Sequence, residues 1–514
     1  MKTIKRITIT LMTLAVFIIP TSAQEDGDPV SIGTYRILQS KILNEDRTLL
    51  VNLPRGYDET TNSYPVLYIL YGGHPQGYFA EAVHIVDRLN EASRIPDMII
   101  VGVKNTDRYR DCLPINRNGE PGGADNFLKF FIEELIPFVD KSYRTKDFRL
   151  LLGPQAGAAF SVYALMENPE LFRVNIVTNP FWIRANREYM LTKANDFFSK
   201  EGLLDNFLFM TNNTSNDNEA TMEYLRKFTT IVEEGKKRDF TLVLNLLEKR
   251  EVGIISSPGL KKGLEIFFAE YKFPNEIQID GLEDLKEYYQ ILSQNYGYEI
   301  DIPEFTLIRQ GDKLEERNKL EEAKIVFEYV IEKYPHDLNS YARLADLHRR
   351  WGNYELSIKY YEQFLERRKM PFIERRLNSL EKYINESAAY AVEKAINNSG
   401  VDAGIAKFQE LKSDDQNKLY FSETDFNTLG YNLITRGMIN AAIEVFKMNV
   451  ECFPDSTNVY DSLAEAYMKS GNNEKAILHY KKVLELDPTN ENAKTMLNKL
   501  KKKGCDSGEE LKIL

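Results

Sequence analysis

The feature that most restricts this chain is a repeat in its second half. Gly437 and Gly471 stand 34 positions apart, as do Ala442 and Ala476, Phe446 and Tyr480, and Pro454 and Pro488. An earlier set keeps the same spacing: Asn318 with Gly352, Ala323 with Ser357, Phe327 with Tyr361. Small residues recur where two helices must approach, and proline recurs where a helix must stop, which is the signature of stacked helix–turn–helix units. One such unit cannot bury its apolar face alone, so the copies stack into a solenoid with a concave inner surface.

This pattern resembles the tetratricopeptide (TPR) repeat. The spacing predicts one pair of repeats over 305–372 and a second over 424–503 that includes a capping helix from Glu491 to Lys503. Residues 373–423 are helical but match the repeat poorly and read as one degenerate repeat plus a connector. Residues 276–304 read as a linker, and 504–514 as a tail. The resemblance implies a protein or peptide partner held on the inner surface. Tyr341, Asn427, Asn432 and Tyr460 are the polar residues placed on the first helix of a repeat. Arg343, His348, Arg349 and Arg350 supply either a basic inner face for an acidic peptide or a solvated outer face.

Ahead of Pro274 the chain alternates between strand-like and helix-like segments. Tyr64 to Tyr71, Met98 to Val103 and Arg149 to Leu152 are continuous apolar runs that end at or near glycine, and Thr48 to Leu53 ends at Pro54. Runs apolar on both faces suit the central strands of a parallel sheet. With amphipathic helices between them, such as Asn126 to Val139, the expected fold class is α/β, a doubly wound and mostly parallel sheet followed by an all-α solenoid. The expected first domain covers 28–275.

The chain has 514 residues and a net charge of −11, so it carries no basic surplus to neutralise phosphates, and a nucleic-acid partner is not expected. Lys2, Lys5 and Arg6 precede the mostly apolar Ile7 to Ile19, and Thr21-Ser22-Ala23 follows. This predicts a cleavable signal peptide over 1–23, a mature chain starting at Gln24 and a periplasmic or secreted protein. No later stretch is long and apolar enough to span a bilayer. Cys112, Cys452 and Cys505 lack metal-ligand spacing and read as free thiols. No metal or cofactor is expected.

Five segments, in order and spacing, resemble the esterase D-like family of α/β-hydrolases. They are Leu53 to Asp58, Tyr64 to Tyr68, Val101 to Asp111, Glu134 to Asp140 and Asn168 to Phe172. The resemblance spans about 240 residues and implies the α/β-hydrolase sandwich. In that family a strand runs into the turn G-x-S-x-G and then a helix, with the serine exposed on the strained turn. Here Leu150-Leu151-Leu152 leads into Gly153-Pro154-Gln155-Ala156-Gly157. Both glycines stand, and the nucleophile position holds Gln155.

The family's histidine position falls in Glu251-Val252-Gly253-Ile254, just before Ser256, and no histidine lies between His84 and His336. Asp217 and Glu219 stand where the family carries its acid. The pocket residues the resemblance implies are Gly72, Gly73, His74, Arg108, Arg110, Ala156 and Trp182. His74 follows the loop that helps build an oxyanion hole and is either a ligand contact or a surface residue. Arg108 and Arg110 either bind an anion or pair with Asp107 or Asp111. Trp182 is either pocket wall or core. Ser161 and Cys112 are the remaining nucleophile candidates. The expected function is a non-catalytic ligand-binding or scaffold domain, with a small-molecule or ester-like ligand in the old pocket, joined to a TPR interaction module. The alternative is a carboxylic-ester hydrolase that uses an unconventional site.

Overall fold

The apolar runs form the strands of one sheet. The computed structural model describes residues 31–70, 77–116, 118–180, 184–213, 219–247 and 256–506. The chain divides into two units, one of residues up to 54, 64–88 and 97–267, the other of 55–63, 89–96 and 268 onward.

In the first unit the strands are β1 (Thr34–Ser40), β2 (Glu45–Asn52), β3 (Tyr64–Leu70), β4 (Ile99–Val103), β5 (Thr145–Pro154), β6 (Val174–Thr178), β7 (Gly202–Leu203), β8 (Phe207–Asn213), β9 (Lys237–Arg238) and β10 (Thr241–Leu247). Eight of them make one sheet in the order β1-β2-β4-β3-β5-β6-β8-β10. β2 runs antiparallel to both its neighbours, and every pair from β4 to β10 is parallel. Every residue of β3, β4 and β6 is buried, as parallel strands covered on both faces require. β7 and β9 pair separately.

Helices lock onto this sheet through glycine. A Cβ at Gly157, in the helix Ala156–Glu167, would stand 2.9 Å from Leu70 Cδ1 on β3. A Cβ at Gly259, in the helix Ser256–Phe267, would stand 2.5 Å from Thr211 and 2.7 Å from Thr178. The helix expected from Asn126 to Val139 is instead Ala124–Phe130 and Ile136–Ser142, joined by a wide π-type turn over Phe131–Leu135. Pro137 has no N–H to donate and its ring crowds the carbonyl four residues back, so the ladder widens there.

The second unit is helical. Its hairpins are Glu304–Glu316 with Leu320–Lys333, Leu338–Arg350 with Tyr354–Arg367, Ala388–Ser399 with Val401–Ser413, Glu423–Thr435 with Ile439–Cys452, and Thr457–Lys469 with Asn473–Leu486. The repeat positions read from the sequence have a physical job. Asn318, Gly352, Gly437 and Gly471 all take positive φ between 60° and 81°, at the turn between paired helices. Ala323, Ser357, Ala442 and Ala476 are fully buried at the helix contact. Gly311 and Gly430 make room for Phe327 and Phe446, whose rings would lie 2.7 Å and 2.4 Å from an added Cβ.

One stretch differs from expectation, and a second takes a particular form. Residues 276–304, read as a linker, contain the helix Leu282–Tyr296, which buries Leu285, Tyr289 and Leu292. Residues 373–423 hold the hairpin Ala388–Ser399 with Val401–Ser413, preceded by the helix Pro371–Glu386, which has no hairpin partner of its own. The final helix runs over Glu491–Asp506, and 507–514 lie outside the described residues, as does the expected signal peptide. No described helix is long and apolar enough to cross a membrane.

A buried charge ties this interrupted stretch to the next repeat. Glu393, fully buried, accepts hydrogen bonds from Arg436 Nη2 at 2.5 Å, from the Tyr383 hydroxyl at 2.8 Å and from the Tyr354 hydroxyl. Arg436 also donates to the Arg350 carbonyl at 3.3 Å. Removing one partner of a buried pair costs about 3–5 kcal/mol, because the other charge stays desolvated. Glu393→Ala is therefore expected to lower the stability of the helical unit by about that amount in urea unfolding of the full chain, and a loss under about 1 kcal/mol would mean the pair is structurally idle.

Candidate functional site

β5 feeds directly into the helix Ala156–Glu167, and Gln155 is the single residue at the bend. Its backbone sits at φ 53°, ψ −113°, a region that side-chain-bearing residues rarely enter. Neighbours impose the bend. A Cβ at Gly153 would stand 2.4 Å from the Gly157 carbonyl oxygen, so strand and helix approach too closely for any larger residue. The Gln155 N–H donates to the Thr178 carbonyl at the end of β6 (2.9 Å), and its own carbonyl accepts from Ala158 N–H (3.1 Å). The sharp strand–turn–helix thus holds a half-buried carboxamide at its apex, with Ala156 buried beneath it.

Of the expected pocket residues, the structure brings Arg108 to this apex. Arg108 Nη1 lies 3.5 Å from Gln155 Oε1, at the outer limit of a hydrogen bond, and its guanidinium stacks over the Tyr109 ring at 5.0 Å. Asp107 does not pair with Arg108. It caps the helix Arg108–Cys112, accepting from Tyr109 N–H and Arg110 N–H. Gly72, Gly73, His74, Trp182, Asp217 and the stretch 251–254 lie outside the described residues, and Glu219 opens the helix Glu219–Glu233.

Arg110 belongs to a structural network. It grips Glu45 with both terminal nitrogens (2.7 and 3.2 Å) and Asp111 at 2.7 Å. Arg47, fully buried on β2, completes the set through Asp111 (2.8 Å) and Glu45 (2.6 Å) and stacks on Phe127 and Phe130. The hydrogen bond from Arg110 holds the Glu45 carboxyl below the usual carboxylate range, against the opposing effect of burial. Sequence reading passed over Glu45 and Arg47. The available signal was charge inside an otherwise strand-like run, since a buried arginine needs carboxylate partners.

The other nucleophile candidates are buried. Ser161 donates to Asn175 Oδ1 at 3.0 Å inside the core, and Cys112 is fully buried. Cys112 and Cys452 are free thiols, and the Cys505 side chain lies outside the described residues. The described part of this unit holds one histidine, His84, exposed on the helix Tyr78–Glu91. No cluster of metal-ligating side chains occurs among the described residues.

In the helical unit, Arg349, Arg350, Asn427 and Asn432 line open cavities. Tyr341 is buried in the core. Tyr460 stacks on His479. Arg343 is occupied by Asp312 at 3.0 Å. His348 is buried against Tyr360 and Trp351, and that burial lowers its pKa, so it adds no charge to a basic face.

An eight-stranded, mostly parallel sheet with a strained residue at a strand–turn–helix apex defines an α/β-hydrolase-type domain. Residues 40–239 match the Esterase family, and 338–369 and 462–490 match tetratricopeptide repeat families. The chain therefore carries an esterase-family domain followed by TPR repeats. It is 26% identical over 234 residues to the ferri-bacillibactin esterase BesA of Bacillus subtilis, covering 40% of this chain and 80% of that protein. It is 30% identical over 147 residues to the uncharacterized protein YjcH of Bacillus subtilis, covering 28% of this chain and 59% of that protein. Among solved structures it is similar to an IroE-like serine hydrolase from Shewanella oneidensis, at 23% identity and a TM-score of 0.48, covering 58% of this chain and 99% of that one.

Backbone strain at such an apex costs about 1–3 kcal/mol, and glycine enters this region freely. Gln155→Gly is expected to stabilise the esterase-family unit by about 1 kcal/mol net in thermal or urea unfolding, after the entropy glycine adds to the unfolded chain. A destabilised variant would show that the Gln155 side chain is worth more than the strain.

Proposed function

We propose that the esterase-family domain is a non-hydrolytic ligand-binding or scaffold domain, exported and joined to a TPR module that binds a protein or peptide. The observation that carries this reading is Gln155 at the apex, with its carboxamide turned to Arg108. A carboxamide oxygen is a poor nucleophile and carries no proton for a base to remove. The sequence offers no histidine after β6 until His336. An enzyme without its triad keeps only about 10³–10⁴ over the uncatalysed rate from binding and oxyanion contacts. What remains is the apex with Arg108 beside it, a cation suited to an anionic or ester-like ligand that is held and not cleaved. Because a relative is a ferri-bacillibactin esterase, an iron-loaded siderophore ester is the first ligand to offer it.

A second reading, hydrolysis through an unconventional site, draws on the same relative. Assay of the mature protein on short acyl esters separates the two. The expected turnover is negligible beside that of an intact triad, and Gln155→Ser alone is expected to restore nothing, because no base reaches the apex among the described residues. Turnover by that single variant would reveal a base supplied from elsewhere in the chain.

Export rests on the N-terminal sequence. The expected N-terminus of material recovered from outside the cytoplasm is Gln24, and recovery of an intact Met1 there would contradict a cleaved signal.

A further inference from the structure

The helix Pro371–Glu386 has no partner in the repeat, and it builds a site the regular repeat would not have. Its residues Phe372, Arg375, Arg376 and Tyr383 close one side of a cavity of about 600 Å³. Arg349 and Arg350 come from the helix Leu338–Arg350 and Asn432 from the helix Glu423–Thr435. A second cavity of about 770 Å³ shares Arg349, Arg350, Thr428 and Asn432 with the first and continues to Lys469. The two form one open trough, longer than a single small molecule needs.

Charge and hydrogen bonding in the trough are left incomplete. In the first cavity four guanidiniums face three carboxylates, Glu315, Asp346 and Asp425. Asp346 alone serves Arg376, Arg349 at 3.9 Å and the Tyr361 hydroxyl at 2.6 Å. Glu315 is divided between Arg350 at 3.0 Å and Arg343 at 3.9 Å. Arg375 is exposed and makes no ion pair or hydrogen bond among the described residues. Asn432 is only 6% exposed, yet its carboxamide has no hydrogen-bond partner among the described residues, and it lines both cavities. Its amide atoms open into the trough, where a ligand can complete their hydrogen bonds. Phe372, half exposed, carries the Arg376 guanidinium at 4.4 Å from its ring centre and offers an apolar face beside the charge.

We propose that this trough binds an extended acidic peptide segment of a partner protein. Its carboxylates would pair with Arg375, Arg376 and Arg349, and its backbone would complete the hydrogen bonds of Asn432. The proposal rests on the reading of the helical unit as an interaction module and adds its chemistry. Guanidiniums pair with carboxylates through two parallel hydrogen bonds, which gives the acidic preference a geometric basis. The continuity of the two cavities favours a peptide over a free organic acid.

The test is fluorescence anisotropy of the mature full-length protein with fluorescein-labelled hexaglutamate, hexaserine as the neutral control and citrate as the competitor. Hexaglutamate is expected to bind more tightly than hexaserine and to weaken as salt rises. Arg375→Glu is expected to weaken it about tenfold or more, with Arg375→Lys retaining most of the affinity. Arg375 has no partner to lose, so this variant leaves the fold intact, and Asn432→Leu supplies an independent second loss. Equal binding of hexaserine, or no effect of Arg375→Glu, would overturn the acidic preference while leaving a peptide groove. Displacement by citrate at the peptide's own affinity would make the site one for small acids and overturn the proposal. Binding of neither peptide would overturn the proposal and leave the interaction-module reading standing on the repeats alone.

Discussion

The first unit turns on the contact between Gly153 and the Gly157 carbonyl. With no side chain at either position, the end of β5 and the start of the following helix approach to a distance no Cβ would tolerate. That approach forces the one residue between them into a backbone region of positive φ. It also points that residue out of the sheet at the carboxyl ends of the parallel strands, where α/β proteins place their ligands. The bend is therefore built as for a nucleophile, and a residue with no nucleophilic chemistry occupies it. Strain at such an apex persists only when its surroundings over-determine it. Here Gly153, Gly157, Leu70 and the Thr178 carbonyl do so.

Charge is used differently in the two units. Around β2 and the loop after β4, Arg47 and Arg110 are matched in charge by Glu45 and Asp111, with Arg47 Nε buried and left without a hydrogen-bond partner among the described residues. The task of this network is to hold the loop that delivers Arg108 to the apex. In the helical unit, Glu393 is satisfied by Arg436 and by the Tyr354 and Tyr383 hydroxyls beneath the trough. The trough above them is not closed. Arg375 stands alone, and Asp346 serves two guanidiniums at once. Completed networks rigidify a fold, and incomplete ones on a concave surface are where a ligand finds its interaction energy.

Much of the fold was legible in the sequence because its signals are steric. The 34-residue spacing marks turn positions that must take positive φ and contacts that must hold small side chains, and both are what Gly352, Gly437, Ala323 and Ala442 do. Gly153 and Gly157 announced the elbow for the same reason. The wide turn at Phe131–Leu135 was hidden because a single proline can be absorbed in several ways. The helix Leu282–Tyr296 was hidden because an isolated amphipathic stretch carries no period to recognise. The partition of arginines was least legible. Sequence placed Arg108, Arg110, Arg343 and Arg349 alike as candidate contacts, yet Arg110 and Arg343 are held by carboxylates. Such pairs form across the fold, as between Glu45 and Arg110, and linear spacing does not encode them.

The central claim is that an esterase-family fold here carries no activated nucleophile. The direct measurement is the intact mass of the mature protein after exposure to a fluorophosphonate, which phosphonylates serines activated by a neighbouring base. The account predicts an unchanged mass for the native protein. A single stoichiometric adduct on any residue of the esterase-family unit would contradict it.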